Sequence, residues 1–132
     1  MAQSTEILPN GLQLLQDDRF FKLGQDSVLL SAFAKPRRNA KLLDLGCGTG
    51  ALALLVWRPD LKITGLELQD GPLDLFRQSI TVNELENVTA LQGDLRQMRT
   101  LLPHGSMDYV ICNPPYFDRN AGANAPTAEK RT

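Results

Sequence analysis

The chain has 132 residues, 42% of them hydrophobic, and a formal net charge of −1. This length supports one small domain with its own core, and the balanced charge excludes nucleic-acid binding by overall basicity, leaving only local patches. The sequence does not open with a basic segment followed by an apolar run, and no apolar stretch approaches the ~20 residues that cross a bilayer, so neither a secretory signal nor a membrane span is expected.

Residues 1–20 read as a polar, irregular lead-in with a turn at Pro9-Asn10-Gly11. In "QDSVLLSAFA", Asp26 suits an N-cap, Val28, Leu29, Ala32 and Phe33 give helical apolar spacing, and Pro36 stops the helix. "KLLDLG" is a strand running into the glycine-rich "GCGTG", and "ALALLVW" is a buried helix that breaks at Arg58-Pro59-Asp60. "KITGLEL" is a second strand. Asp70-Gly71-Pro72 opens a helix with proline in its first turn, and "LDLFRQSITVNEL" carries an apolar face at Leu73, Phe76, Ile80 and Leu85. "VTALQGD" is a third strand, "LRQMRTLL" a short helix and "MDYVIC" a fourth strand. After Phe117 the composition turns small, polar and Gly/Pro-punctuated, as expected of a disordered tail. The expected organisation is a lead-in over 1–25, one domain over 26–117 and a tail over 118–132. Cys47 and Cys112, the two cysteines, lack metal-ligand spacing and fit a reducing compartment, so the cytoplasm is the expected location.

Strands alternating with helices imply crossover connections, a parallel sheet and an α/β fold. Ligands of such sheets gather beyond the carboxyl ends of the strands. The unusual residues fall at those ends. Gly46, Gly48 and Gly50 let the backbone turn tightly and approach a ligand, with spacing G-x-G-x-G rather than the dinucleotide G-x-G-x-x-G. Glu67 ends the next strand, where an acidic group accepts bonds from ribose hydroxyls. The glycine cluster alone is equally a structural turn; Asp44 before it and Glu67 after it favour a ligand. Asp94 after the third strand reads either as a cap for the following helix or as a ligand contact.

The fourth strand ends in Asn113-Pro114-Pro115-Tyr116, followed by Phe117. An exocyclic adenine amine or a carboxamide nitrogen is a poor nucleophile because its lone pair is delocalised. Two fixed acceptors, the Asn113 side-chain carbonyl and the Pro114 backbone carbonyl, stabilise that nitrogen as positive charge develops. The second proline restricts the backbone and removes a competing N–H, and Tyr116 offers a face for stacking. A base within a helix must be flipped out to enter such a corner. The competing reading is a strand-ending turn.

"LDLGCGTG" with Glu67 resembles motifs I and II of class I S-adenosyl-L-methionine (SAM) methyltransferases, and "NPPY" resembles motif IV of their amino-group members. "RFFKLGQDSVLLSAFA" just upstream is similar to the bacterial tRNA adenine-N6 methyltransferases of the small-domain superfamily, whose members modify the adenine beside the anticodon of a valine tRNA. The resemblance spans roughly residues 12–117. It implies a Rossmann-like sheet in the order 3-2-1-4, counting from "KLLDL" as strand 1. It also implies SAM as cofactor, with Gly46, Cys47, Gly48 and Gly50 beside its methionine part, Asp44 at the amino-acid end and Glu67 on the ribose. Asp94 and the Leu95 N–H would meet the adenine. Asn113, Pro114 and Tyr116 carry the catalytic roles, and Pro115 and Phe117 complete the substrate corner. The implied partner is tRNA.

Motif IV also serves enzymes that methylate glutamine in release factors, a second reading. A third is a SAM-binding fragment that turns over only when a partner completes the sheet, since the class has seven strands and four are expected here, leaving the fourth at an open edge. Lys35, Arg37 and Arg38 read as a solvated helix end or as contacts to tRNA phosphates.

Overall fold

The computed structural model describes residues 3–20, 30–97, 100, 102 and 105–112. It begins with two strands, β1 (Gln3–Ile7) and β2 (Gln13–Asp17), paired antiparallel with Thr5 opposite Leu15. The expectation of an irregular lead-in is therefore corrected. Alternation failed to announce these strands because all five residues of β1 are exposed and the buried positions of β2 mix Leu14 with the polar Gln16 and Asp17. The predicted turn does join them: Gly11 N–H donates to the Leu8 carbonyl at 2.8 Å, and Gly11 adopts φ 89°. Leu8 and Leu14 belong to the main core.

The larger sheet contains β3 (Lys41–Leu45), β4 (Lys62–Glu67), β5 (Val88–Gln92) and β6 (Tyr109–Cys112). Its order is β5-β4-β3-β6 and every pair is parallel, which is the expected 3-2-1-4 order. The central strand β3 is buried at Leu42, Leu43 and Asp44, the continuous run that a strand enclosed on both faces requires. Helix α1 (Ala51–Leu55) connects β3 to β4, and α2 (Asp70–Val82) connects β4 to β5.

Both helices differ from expectation at their ends. Helix α1 stops at Leu55, before the expected Trp57, and the Asn10 side chain from the hairpin turn donates to the Leu54 carbonyl at 2.8 Å. Helix α2 starts at Asp70 with Pro72 in its first turn and ends at Val82, because Glu84 takes φ 54°. Leu73 and Phe76 are fully buried on it, as the apolar spacing requires, while Ile80 and Leu85 pack against the core from its margin. The segment "LRQMRTLL" contributes a 3-10 turn at Leu95–Gln97, with residue 100 also helical. In "QDSVLLSAFA", residues 30–33 are helical, whereas Asp26, Val28 and Leu29 lie outside the described residues.

The hairpin lies along α2. The amides of Gln13 and Leu15 donate to Asn83 Oδ1 (2.8 Å) and Ser79 Oγ (2.9 Å), and Asn83 Nδ2 returns a bond to the Gln13 carbonyl at 2.7 Å. Ser79 and Asn83 are one turn apart, so two side chains on one helix face satisfy strand groups that β1 leaves unpaired.

Phe76 sits where α2 meets the sheet. A Cβ built at Gly65, inside β4, would lie 2.5 Å from Phe76 Cε2 and 2.8 Å from Cys47 Sγ. At Gly50, where φ is 90°, it would lie 2.1 Å from Phe76 Cδ1. The ring thus occupies the space that two missing side chains leave. Gly65→Ala should destabilise the domain by about 1–3 kcal/mol, the usual penalty of overpacking. Phe76→Leu in the same chain should relieve part of that loss. Urea denaturation of the single and double variants checks both expectations.

Candidate functional site at the carboxyl ends of the strands

The parallel register brings the expected cofactor residues to one rim. Asp44 and Leu45 end β3, Glu67 ends β4 opposite Gln92 of β5, and Leu45 pairs with Cys112 at the end of β6. The glycine loop leaves β3 at Gly46 and folds towards β4, where Cys47 N–H donates to the Leu66 carbonyl at 3.0 Å. Gly46 and Gly48 take φ 64° and 57°, and a Cβ at either would meet nothing within 4 Å. These two glycines serve backbone conformation, whereas Gly50 serves close packing as well.

Glu67 fastens the loop. Its Oε1 accepts from Gly48 N–H at 2.7 Å, and its Oε2 accepts from Gln69 N–H at 3.0 Å. One half-buried carboxylate therefore ties the glycine loop to the turn that begins α2. Each oxygen retains a second acceptor direction. The same turn is held from β5: Gln92 Nε2 donates to the Leu68 carbonyl at 3.1 Å and to Asp70, and Gly93 N–H donates to the Glu67 carbonyl at 3.0 Å.

Asp44 is 1% exposed, and its Oδ2 has no hydrogen-bond partner among the described residues. Burial pushes its carboxyl up to about 7, against the lowering effect of the Ala53 backbone N–H, and the nearby Glu67 raises it further. The titratable groups around it are Glu67, Cys47 and Cys112, and burial raises both thiols. A buried carboxylate oxygen without a donor is costly. A cationic group supplied by a ligand would satisfy it.

Asp94 is bound by its own chain. Arg96 donates its backbone N–H to Oδ1 at 2.9 Å and its Nη2 to Oδ2 at 2.6 Å, and this pairing lowers Asp94 to about 2. The capping arrangement weighed from the sequence is thus present at the 3-10 turn that Leu95 opens. Asp94 lies just beyond β5, two residues after Gln92.

Asn113, Pro114, Pro115, Tyr116 and Phe117 lie outside the described residues, as does the segment expected as a tail. Their entry point is described: Cys112 directly precedes Asn113, just as its register partner Leu45 directly precedes Gly46. The basic cluster lies towards the opposite rim. Arg37 pairs with Asp108 at 3.1 Å, Asp108 Oδ2 accepts from Lys41 N–H at 2.9 Å, and Lys41 starts β3.

Sequence reasoning overlooked Gly65 and Phe20. An isolated glycine inside the strand pattern "KITGLEL" was the available signal for close approach. Phe20, whose ring occupies the space beside Gly71, gave no comparable signal because its partner lies 51 positions along the chain. Among the described residues, no group of three or more His, Cys, Asp or Glu is placed to hold a metal, and no helix is long and apolar enough to cross a membrane.

Comparison with known proteins matches this arrangement. The sequence model of a family described as "Methyltransferase small domain" matches residues 24–129. The tRNA1(Val) (adenine(37)-N6)-methyltransferase of Yersinia pestis (strain Pestoides F) is 32% identical over 100 residues, which are 73% of this chain and 40% of that protein. The enzyme of the same name from Yersinia pseudotuberculosis serotype O:1b (strain IP 31758) gives the same identity and coverage. The chain therefore spans about two fifths of the length of the curated relatives it matches. Among solved structures, the 16S rRNA N2 G1207 methyltransferase of T. thermophilus, in complex with AdoMet and guanosine, superposes with TM-score 0.70 at 21% identity, covering 88% of this chain and 33% of that one. At that identity the likeness establishes the fold: a Rossmann-like α/β sheet. With the family match covering most of its length, the chain belongs to the methyltransferase small domain family.

Proposed function

We propose that this chain is the cofactor-binding part of a SAM-dependent methyltransferase that acts on an exocyclic amino group, with the adenine N6 of a tRNA as substrate in the cytoplasm. The observation that carries the reading is the Glu67 carboxylate joined to Gly48 N–H at 2.7 Å, which makes one cradle from the glycine loop and the end of β4. The likeness to the Yersinia tRNA enzymes supports the substrate class.

The residues fit SAM. The buried Oδ2 of Asp44 lacks a partner among the described residues and suits a cationic amino-acid end. Glu67 retains acceptor directions for ribose hydroxyls. Gly46, Cys47, Gly48 and Gly50 supply a backbone wall, and Asp94 with the Leu95 N–H suits the polar edge of adenine. When bound, the cofactor supplies an electrophilic methyl group on a sulfonium. Asn113 and the Pro114 carbonyl would accept hydrogen bonds from the substrate amine and stabilise its developing charge. Pro115 would stiffen that corner, and Tyr116 and Phe117 would stack on the base. The register supports this assignment, because Gly46 and Asn113 each follow a member of the Leu45–Cys112 pair.

Methylation of a glutamine amide rests on the same motif IV chemistry, and an assay on a release-factor peptide separates it from tRNA methylation. Lack of methyl transfer by a chain that binds SAM would instead favour a fragment requiring a partner.

Three outcomes are expected. Glu67→Ala should weaken SAM by about 1–3 kcal/mol, the loss of charge-assisted bonds, as read by calorimetric titration; unchanged affinity would remove Glu67 from the ribose. Asn113→Ala should abolish methyl incorporation into unmodified valine tRNA while leaving SAM affinity nearly intact, and a large loss of cofactor binding would contradict its role. The third concerns Asp44, whose folded value near 7 lies above its ordinary 3.8. The folded chain then holds a proton that the unfolded chain releases, so the Asp44 contribution to ligand-free stability falls as pH rises from about 4 to about 7. A cationic amino group favours the charged carboxylate, so SAM affinity should rise with pH by up to about tenfold per unit below 7, then level off. Asp44→Asn should abolish both slopes, and flat wild-type profiles would contradict the assignment.

A further inference from the structure

The hairpin follows α2 from its end back to its start. Gln13 meets Asn83, Leu15 meets Ser79, and the chain then reaches Gly71 in the first turn through Phe20. Phe20 is half-buried, and its ring fills the position a side chain at Gly71 would take: a Cβ there would lie 2.2 Å from Phe20 Cζ. Substituting Gly71 would therefore push the ring or the helix start aside.

Phe20 is itself held firmly. Its backbone N–H donates to the Asp17 carbonyl at 2.9 Å. The Arg19 guanidinium lies 5.2 Å from the ring centroid, within cation–π range. That guanidinium is gripped in turn by Asp17, with Nε to Oδ1 at 3.1 Å and Nη2 to Oδ2 at 2.9 Å. The Asp17 side chain is 3% exposed, so the clamp has a buried, fixed anchor. The anchor ends β2 and the ring follows three residues later, whereas the surface they press begins four residues after Glu67.

We propose that Phe20 is a positioning residue for the cofactor: by bracing Gly71, it fixes the turn from Glu67 to Gly71 and so sets how Glu67 is presented at the rim. The inference rests on the reading that Glu67 faces SAM. It gives the hairpin a role in ligand affinity beyond its share of the core. The bonds from Gln92 and Gly93 hold this turn from the β5 side, and Phe20 holds it from the other end.

The test is calorimetric titration of S-adenosyl-L-homocysteine into the 132-residue chain and its variants, with circular dichroism confirming that each is folded at the titration temperature. Phe20→Ala should weaken binding roughly three- to thirtyfold, within the span seen for coupled neighbouring residues, and Phe20→Leu should recover most of it. Gly71→Ala should weaken binding similarly. The double variant Phe20→Ala/Gly71→Ala should be no worse than Phe20→Ala, because the added methyl enters space the ring has vacated. Folded Phe20→Ala, or folded Gly71→Ala should the former not fold, with wild-type affinity would overturn the proposal while leaving the cofactor reading in place. Failure of the unaltered chain to bind S-adenosyl-L-homocysteine would overturn both.

Discussion

The candidate site depends on a single carboxylate that accepts backbone N–H groups from two segments. Glu67 ends β4, and its two oxygens hold Gly48 and Gln69. Hydrogen bonds from backbone to charged acceptors are among the stronger ones in proteins, and these two join connections that strand pairing alone leaves independent. The loop after β3 and the turn after β4 therefore form one surface. Everything else at the rim is arranged about that surface: Asp44 beneath the loop, Gln92 and Gly93 against the turn, and Cys112 beside Leu45.

The clasp requires close packing below it. Gly50 and Gly65 are both occupied by the Phe76 ring, so α2 approaches the sheet where the glycine loop closes. The hairpin and the turn after it then brace α2 along its length, at Asn83, at Ser79 and through Phe20. In this arrangement a buried aromatic ring, a helix and an N-terminal hairpin all serve to hold one loop. That explains how a five-residue α1 suffices after the loop: short helices are marginal alone, and this one is buried at Leu52, Ala53 and Leu54 and closed by Asn10.

Much of this was legible in the sequence, for physical reasons. "KLLDLG" and "KITGLEL" announce buried parallel strands by their apolar runs, and Pro72 announces a helix start by its fixed φ. Strand order followed from the fold that the motifs resemble. The hairpin was illegible because β1 buries no residue and the side chains that fasten β2, Ser79 and Asn83, lie more than 60 positions away. Residues Glu67 and Asp94 were found as rim acids, but not their bonds to Gly48 and Arg96, since backbone partners and surface ion pairs leave little trace in sequence pattern. The unpartnered oxygen of Asp44 was also invisible: sequence gives a carboxylate before a glycine loop, and only three-dimensional packing shows that no donor among the described residues reaches it.

The proposed function requires that the Glu67–Gly48 cradle receive the cofactor. An amide NMR titration with S-adenosyl-L-homocysteine tests it most directly. Saturable shifts are expected, centred on Gly46, Gly48, Gly50 and Gln69, with small changes at Asn39 and Lys41 on the opposite rim. Saturable shifts centred on that opposite rim, with the glycine-loop amides unmoved, would contradict it.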